Sequence, residues 1–390
     1  MNPLPTARPE EVGLSTARLE RLGAVLEERV AAGHLPGAVV LVGRQGRIAW
    51  HRAHGRRDPA AEDPMRTDAI FRIYSMTKPL VSVGVMMLME EGRLQLGEPV
   101  SRYLPDLAGL RVAAPGGGTV PAAAPVTIQD LLRHTSGLTY EFLGTGPVHQ
   151  AYAAARVARR AQSNADQVAT LATLPLLHQP GTRWEYSRST DVLGRLIEVV
   201  AGQSLGAFLT ERICAPLGMV DTGFHVPTGK QDRLAGGFAR DPESGAEVAL
   251  LEVREAPQFE SGGGGMVSTS ADYARFLQML AAGGAAEGGR LLSRKTIELM
   301  TADHLGAIPG NPDLLPPGFG FGLGFAVRRD RGLAVTPGSV GLYYWSGLAG
   351  TTFWVDPAER LFAVFMMQGP GQREYYRGLM RDMVYAAIVD

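Results

Sequence analysis

A single cysteine, Cys214, stands in a chain of 390 residues. An intramolecular disulfide is therefore excluded, and a zinc site would have no pair of thiolates to draw on. The lone thiol reads as a small buried apolar residue. Excess charge is missing too: 38 Lys and Arg against 39 Asp and Glu leave a formal net charge of −1. With no basic stripe along the chain, no nucleic-acid partner is expected. Long hydrophobic runs are also lacking. The most extended, PLVSVGVMMLM at 79–89, falls well short of the ~20 residues that cross a bilayer, so no membrane partner is expected. The start, MNPLPTARPEEVG, has no basic segment followed by an apolar one and does not read as a secretory signal, which makes the cytoplasm the expected location. No metal or other cofactor is expected: His51 and His54 in HRAH would face opposite sides of a strand, with no Cys or acidic cluster beside them.

What is present is a globular composition, 45% apolar and 20% charged, on a chain long enough for a second lobe. Residues 15–33 predict an amphipathic helix, with Ser15 as its cap, Leu19, Leu22, Val25, Leu26 and Val30 at helical spacing, and Gly33 at its end. Two apolar runs around RQG follow at 37–55 and predict a hairpin. Far along the chain, 342–368 predicts two strands around the turn DPAER, and 371–389 a final helix. Between these ends the periodicity is mostly helical: Thr127 with Asp130 approaches a capping box, and 192–202 and 270–284 are periodic segments that stop at glycine. Residues 114–125, APGGGTVPAAAP, read as a surface loop. The expected fold class is α/β (α+β): an antiparallel sheet flanked by N- and C-terminal helices in a lobe built from 1–60 and 325–390, with a mostly helical lobe at 61–324. The active site is expected in the cleft between them.

The segment IYSMTKPL at 73–80 carries the chemistry. On a helix, Ser75 and Lys78 share one face, and Pro79 suits a first turn. Ser75 would thus sit at a helix N-terminus, which favours negative charge. The apolar run behind it predicts a buried helix. A lysine at its mouth is desolvated, which lowers its pKa, and a lysine of that kind activates a serine without histidine.

Two further segments accompany this pair: GTRWEYSRST at 181–190, with Tyr186-Ser187 after a Pro-Gly turn, and YYWSGLAGTTFWVD at 343–356, with Trp345-Ser346-Gly347 at the start of a strand. Together with Ser75-x-x-Lys78 they resemble the three motifs of the serine β-lactamase-like hydrolases, the fold of class C β-lactamases and D,D-peptidases. LLRHTSGL, APLGMVDTGF, GGGGMVSTSADYARF and GFGFGLGF match the same family in order, so the resemblance runs from about residue 15 to the end. It implies Ser75 as the acylated nucleophile, with Lys78 and Tyr186 as general base, singly or shared. The tyrosine would be held near the lysine ammonium, with its pKa lowered. It also implies an oxyanion hole made from the backbone N–H groups of Ser75 and Leu348, with Trp345, Ser346 and Gly347 lining the substrate. His134 takes a structural place in that pattern.

The chain departs from the lactamase motifs at two points. Arg188 stands where Tyr-x-Asn has asparagine, and Trp345 where Lys-Thr-Gly or His-x-Gly has its cation. An indole offers an apolar wall and one N–H but no charge for a substrate carboxylate. This W-x-G form resembles the carboxylesterase branch, the family VIII esterases, and implies small to medium carboxylic esters as small-molecule substrates. Acyltransferase, amidase or weak β-lactamase activity at the same site remain alternatives. A ligand-binding module that keeps the fold is disfavoured by Ser75, Lys78 and Tyr186 occurring together. Arg188 either restores a positive charge near the site, points to solvent, or pairs with Asp191 or Glu185. Tyr140 and Phe142 are candidate walls of the substrate pocket.

Overall fold

The computed structural model describes residues 4–61 and 63–390. Residues 1–3, where the N-terminal reading begins, lie outside the described residues. The hairpin at the front of the chain joins β1 (Gly37–Arg44) to β2 (Arg47–Asp58). Gln45 and Gly46 turn it, with φ of 54° and 77°, the pair of positive values that a two-residue turn between right-twisted strands needs. A short β3 (Asp63–Pro64) extends this edge. The rest of the sheet comes from the far end of the chain: β4 (Phe319–Phe321), β5 (Ala326–Arg328), β6 (Tyr343–Ser346), β7 (Thr352–Asp356) and β8 (Leu361–Met367). The order is β4-β5-β6-β7-β8-β1-β2-β3, and neighbours pair antiparallel throughout.

β1 and β8 lie side by side and are buried at every position, so both faces of the sheet need cover. Helix α1 (Thr16–Ala31) covers one face beside the final helix; α5 (Ser270–Ala281) covers the other. The two histidines of β2 report this division. His54 reaches Glu27 of α1 at 2.8 Å, and His51 reaches Ser270 of α5 at 2.9 Å. Ser15 caps α1 by accepting from the N–H of Arg18, and the final helix α6 (Arg373–Ala386) stacks Tyr376 on Phe365 of β8. The remaining helices that position the site are α2 (Thr77–Glu90), α3 (Ile128–Leu132) and α4 (Ser189–Ala201). α2 is buried from Thr77 through Leu88 and packs on α4. The capping box of α3 forms as predicted, between Thr127 and Asp130.

Three differences from the sequence reading stand out. Residues 342–368 form three strands rather than two, because the glycines at 347 and 350 break the run into β6 and β7. Trp345 accordingly lies near the end of its strand, not the start. The loop at 114–125 supplies the turn and second strand of a small hairpin, since Thr119–Pro121 pairs with Arg111–Ala113. The sheet also takes β3 and β4 from within 61–324, and α5 from that stretch lies on the sheet. Contiguity in sequence does not mark which side of a cleft a strand joins. Cys214 is buried, and burial pushes its thiol up to about 12.

Candidate active site

Ser75 belongs to a single 3₁₀ turn, Tyr74–Met76, that feeds directly into α2. The chain enters this turn through Tyr74 at φ 44°, a left-handed conformation that a tyrosine keeps only where its surroundings enforce it. The surroundings are visible: Phe71–Arg72 pairs with Val267–Ser268, the Ile73 N–H donates to Met266 O at 3.0 Å, and Tyr273 Oη donates to Met76 O at 2.9 Å. The segment at 262–273 therefore clamps the Ser75 turn from one side.

Three residues along, Lys78 is buried. Its Nζ lies 3.3 Å from Ser75 Oγ, 2.9 Å from Tyr140 Oη and 2.6 Å from Gly263 O. Burial lowers its pKa from 10.5 to about 7; Asp191 opposes that shift and Arg188 adds to it. A neutral amine has two N–H donors and one lone pair. The Gly263 carbonyl and Tyr140 hydroxyl can take the two donors, which leaves the lone pair facing Ser75. Gly263 is where the close approach decides the residue: a Cβ there would lie 2.9 Å from both Tyr140 Oη and an Asp191 oxygen.

Tyr186 sits on the extended segment before α4, and Ser75 hydrogen-bonds its hydroxyl. The indole N–H of Trp345 donates to the same oxygen at 3.1 Å. Lys78 Nζ stands over the ring of Tyr186, 4.4 Å from its centre. The resemblance led to a lowered phenol pKa; instead burial raises it well above the usual tyrosine value, and the bonds from Ser75 and Trp345 only reduce the shift. The physical reason is the placement of the lysine. It faces the ring and not the oxygen, and the donor at the oxygen is a neutral indole.

Arg188 is buried, not solvent-facing. It pairs with Glu141 at 2.5 Å and Asp191 at 3.3 Å, and covers the ring of Tyr140 at 4.6 Å. With two carboxylates on it, it offers no free charge to a substrate, which corrects its place among the pocket residues. Tyr140 is also reassigned: it is 4% exposed and spends its hydroxyl on Lys78. Phe142, at 61% exposed, stacks on Tyr140 with 4.8 Å between ring centres. His134 is buried with Nδ1 3.2 Å from Ser187 Oγ. Burial, then Lys78, hold its pKa well below the ordinary histidine value.

Trp345 and Ser346 end β6, and the Ser346 hydroxyl lies 2.8 Å from that of Thr352. Gly347 then opens a turn closed by the Gly350 N–H on Gly347 O at 3.1 Å. A Cβ on Gly347 would come within 2.4 Å of Ile73 O, so only glycine lets this turn lie against the Ser75 turn. Leu348, at the tip, is 47% exposed. Among the described residues its N–H makes no bond to another backbone group. Two concavities, of about 410 and 220 Å³, are lined by other residues. Sequence reasoning named Asp191 as a partner of Arg188, which the structure bears out, but missed that Asp191 also accepts from the Gly263 N–H and Ser261, and it missed Glu141. The glycine run at 262–265 was the available signal for the first.

The family model described as Beta-lactamase matches residues 22–385. Protein Rv1367c of Mycobacterium tuberculosis is 36% identical over 358 residues, covering 88% of each chain. Esterase EstB of Burkholderia gladioli is 34% identical over 406 aligned positions, covering 97% of this chain and 98% of its own. Among solved structures, "EstCE1, a hydrolase with promiscuous acyltransferase activity" superposes with a TM-score of 0.79 at 30% identity, over 95% of this chain and 98% of that one. The chain belongs to the serine β-lactamase-like family, on its carboxylesterase branch.

Proposed function

We propose that this protein is a carboxylesterase that cleaves small to medium carboxylic esters through an acyl-enzyme on Ser75. The observation that carries the reading is the shared contact of the Ser75 hydroxyl with Lys78 Nζ and the Tyr186 hydroxyl. Lys78, near neutrality at about 7, takes the Ser75 proton as Oγ bonds to the ester carbonyl carbon. The charge that forms on the carbonyl oxygen is met by the N–H groups of Ser75 and Leu348. On collapse the C–O bond to the alcohol breaks. The alkoxide takes the proton held on the Lys78 ammonium, which restores the neutral amine, while the Tyr186 hydroxyl donates a hydrogen bond to the leaving oxygen. Water repeats the sequence against the acyl-enzyme and frees the acid. The site is read as the cleft between the lobe of 1–60 with 325–390, extended by β3, β4 and α5, and the helical remainder of 61–324.

Trp345 supports an uncharged ester. A β-lactam brings a carboxylate whose desolvation without a partner costs several kcal/mol. Here the indole N–H is spent on Tyr186, and Arg188 on Glu141 and Asp191. The test is kinetic. Wild type should turn over a short p-nitrophenyl ester with a kcat/KM several orders of magnitude above that for a chromogenic cephalosporin. Ser75→Ala should lose the esterase activity and fluorophosphonate labelling while keeping its fold. Retained turnover in Ser75→Ala, or equal rates on the two substrates, would overturn the assignment. A second reading, transfer of the acyl group to an alcohol, has support in the activity named for EstCE1. Partition of product between acid and new ester, at rising concentration of a short alcohol, separates the two.

A further inference from the structure

The final helix reaches the site through one side chain. Arg377 of α6 donates from Nη2 to the carbonyl of Gly347 at 2.6 Å and from Nη1 to Glu374 at 2.5 Å. Its side chain is 22% exposed, and its Nε is buried without a partner among the described residues. Burial draws its pKa down and Glu374 offsets this; Tyr344 and Tyr186 are also within its electrostatic reach. A surface arginine needs none of this. The long side chain is laid inward to meet a single backbone oxygen.

That oxygen belongs to the peptide whose nitrogen is the N–H of Leu348. In a trans peptide the C=O and N–H point in opposite directions in one rigid plane. Holding the carbonyl from the helix side therefore aims the N–H away from the helix. Gly347 O takes a second bond from Gly350 N at 3.1 Å, so two donors hold the plane against rotation. A cationic donor on the carbonyl also polarises the amide and strengthens its N–H as a donor, since hydrogen bonds in series reinforce each other. We propose that Arg377 is a positioning residue for the oxyanion hole, orienting and polarising the Gly347–Leu348 peptide so that its N–H stabilises the tetrahedral oxyanion. This rests on the reading of Ser75 as nucleophile and Leu348 as oxyanion donor.

The benefit of a polarised donor appears when negative charge develops, so it belongs to kcat more than to KM. Arg377→Met should lower kcat and kcat/KM on p-nitrophenyl acetate together by roughly tenfold to a hundredfold, below or at the loss typical of deleting an oxyanion donor outright. Arg377→Lys keeps the charge and one donor, and should recover most of that loss. The inhibition constant of an aryl trifluoromethyl ketone, whose hemiketal carries the oxyanion, should weaken by the same factor as kcat/KM. Should Arg377→Met fail to fold, Arg377→Gln carries the same expectation. A wild-type kcat in a folded Arg377 variant, or a change confined to KM, overturns the inference while loss of activity in Ser75→Ala leaves the esterase reading intact. Full activity in Ser75→Ala overturns both.

Discussion

Lys78 is the group whose environment says most about the chemistry. Ten-and-a-half is the ordinary pKa of its amine, and burial brings it to about 7. Tyr186 moves the other way, upward, so at neutral pH the lysine and not the phenol holds a free lone pair. His134 is held neutral and faces Ser187, so in the proposed mechanism the lysine is the titrating base. The sign is direct: below about 7 the amine is protonated and cannot accept the Ser75 proton; above it the base is free. Accordingly kcat/KM should rise about tenfold per pH unit on the acid side, bend near pH 7, and stay level into mildly alkaline pH. Arg188 lowers the Lys78 pKa, so Arg188→Met should move the bend to higher pH. Initial rates between pH 5 and 9 on both proteins check this; a bend in Arg188→Met below that of wild type would contradict the electrostatic account.

At the scale of elements, the site is assembled where four short segments meet: the turn before α2, the extended approach to α4, the glycine run before α5, and the end of β6. Each supplies backbone or one side chain, and close contact between backbones is what holds the atoms in register. Gly263 is the meeting that touches Lys78 directly, through its carbonyl. Gly263→Ala would drive a methyl to 2.9 Å from Tyr140 Oη and Asp191, shifting the carbonyl that binds Lys78. Overpacking of this kind costs about 1–3 kcal/mol of stability, and a displacement of an ångström at a reacting group costs about a hundredfold in rate. We therefore expect a folded protein with a modestly lower melting temperature and kcat down by roughly two orders of magnitude. Calorimetry and ester kinetics on the same sample test it. Wild-type kcat would show that the glycine is a matter of packing alone.

For the molecule as a whole, the pairing of β8 with β1 joins the two ends of the chain into one sheet. The last helix completes the cover of that sheet, burying Tyr376, Met380 and Val384, and Arg44 ties Asp390 to the front hairpin at 2.6 Å. Met380 and Val384 alone account for about 3–6 kcal/mol of burial, against a total stability of about 5–15 kcal/mol for a folded domain. Truncation after Gly371 should therefore leave a chain with no cooperative thermal transition and little soluble yield, although Ser75, Lys78 and Tyr186 all remain. A truncated chain that melts sharply and labels with fluorophosphonate would show that the final helix is dispensable to the fold.

The amphipathic period of α1 after Ser15, the all-round apolar character of α2, the capping box at Thr127 and the hairpin around Gly46 are local facts. They depend on residues a few positions apart, and sequence alone determined them. The three motifs around Ser75, Tyr186 and Trp345 were legible for a related reason: each is a short string whose residue types carry the chemistry. Only the tertiary structure decided how the strings meet. The indole N–H of Trp345 goes to Tyr186 across 159 positions of chain. Tyr140 turns from the pocket to Lys78, Arg188 is consumed by Glu141 and Asp191, and Arg377 reaches back to Gly347. Desolvation, which sets the pKa of Lys78 and Tyr186 in opposite directions, depends on what surrounds an atom in three dimensions. Neighbours in sequence do not report that until the sheet has closed β8 onto β1.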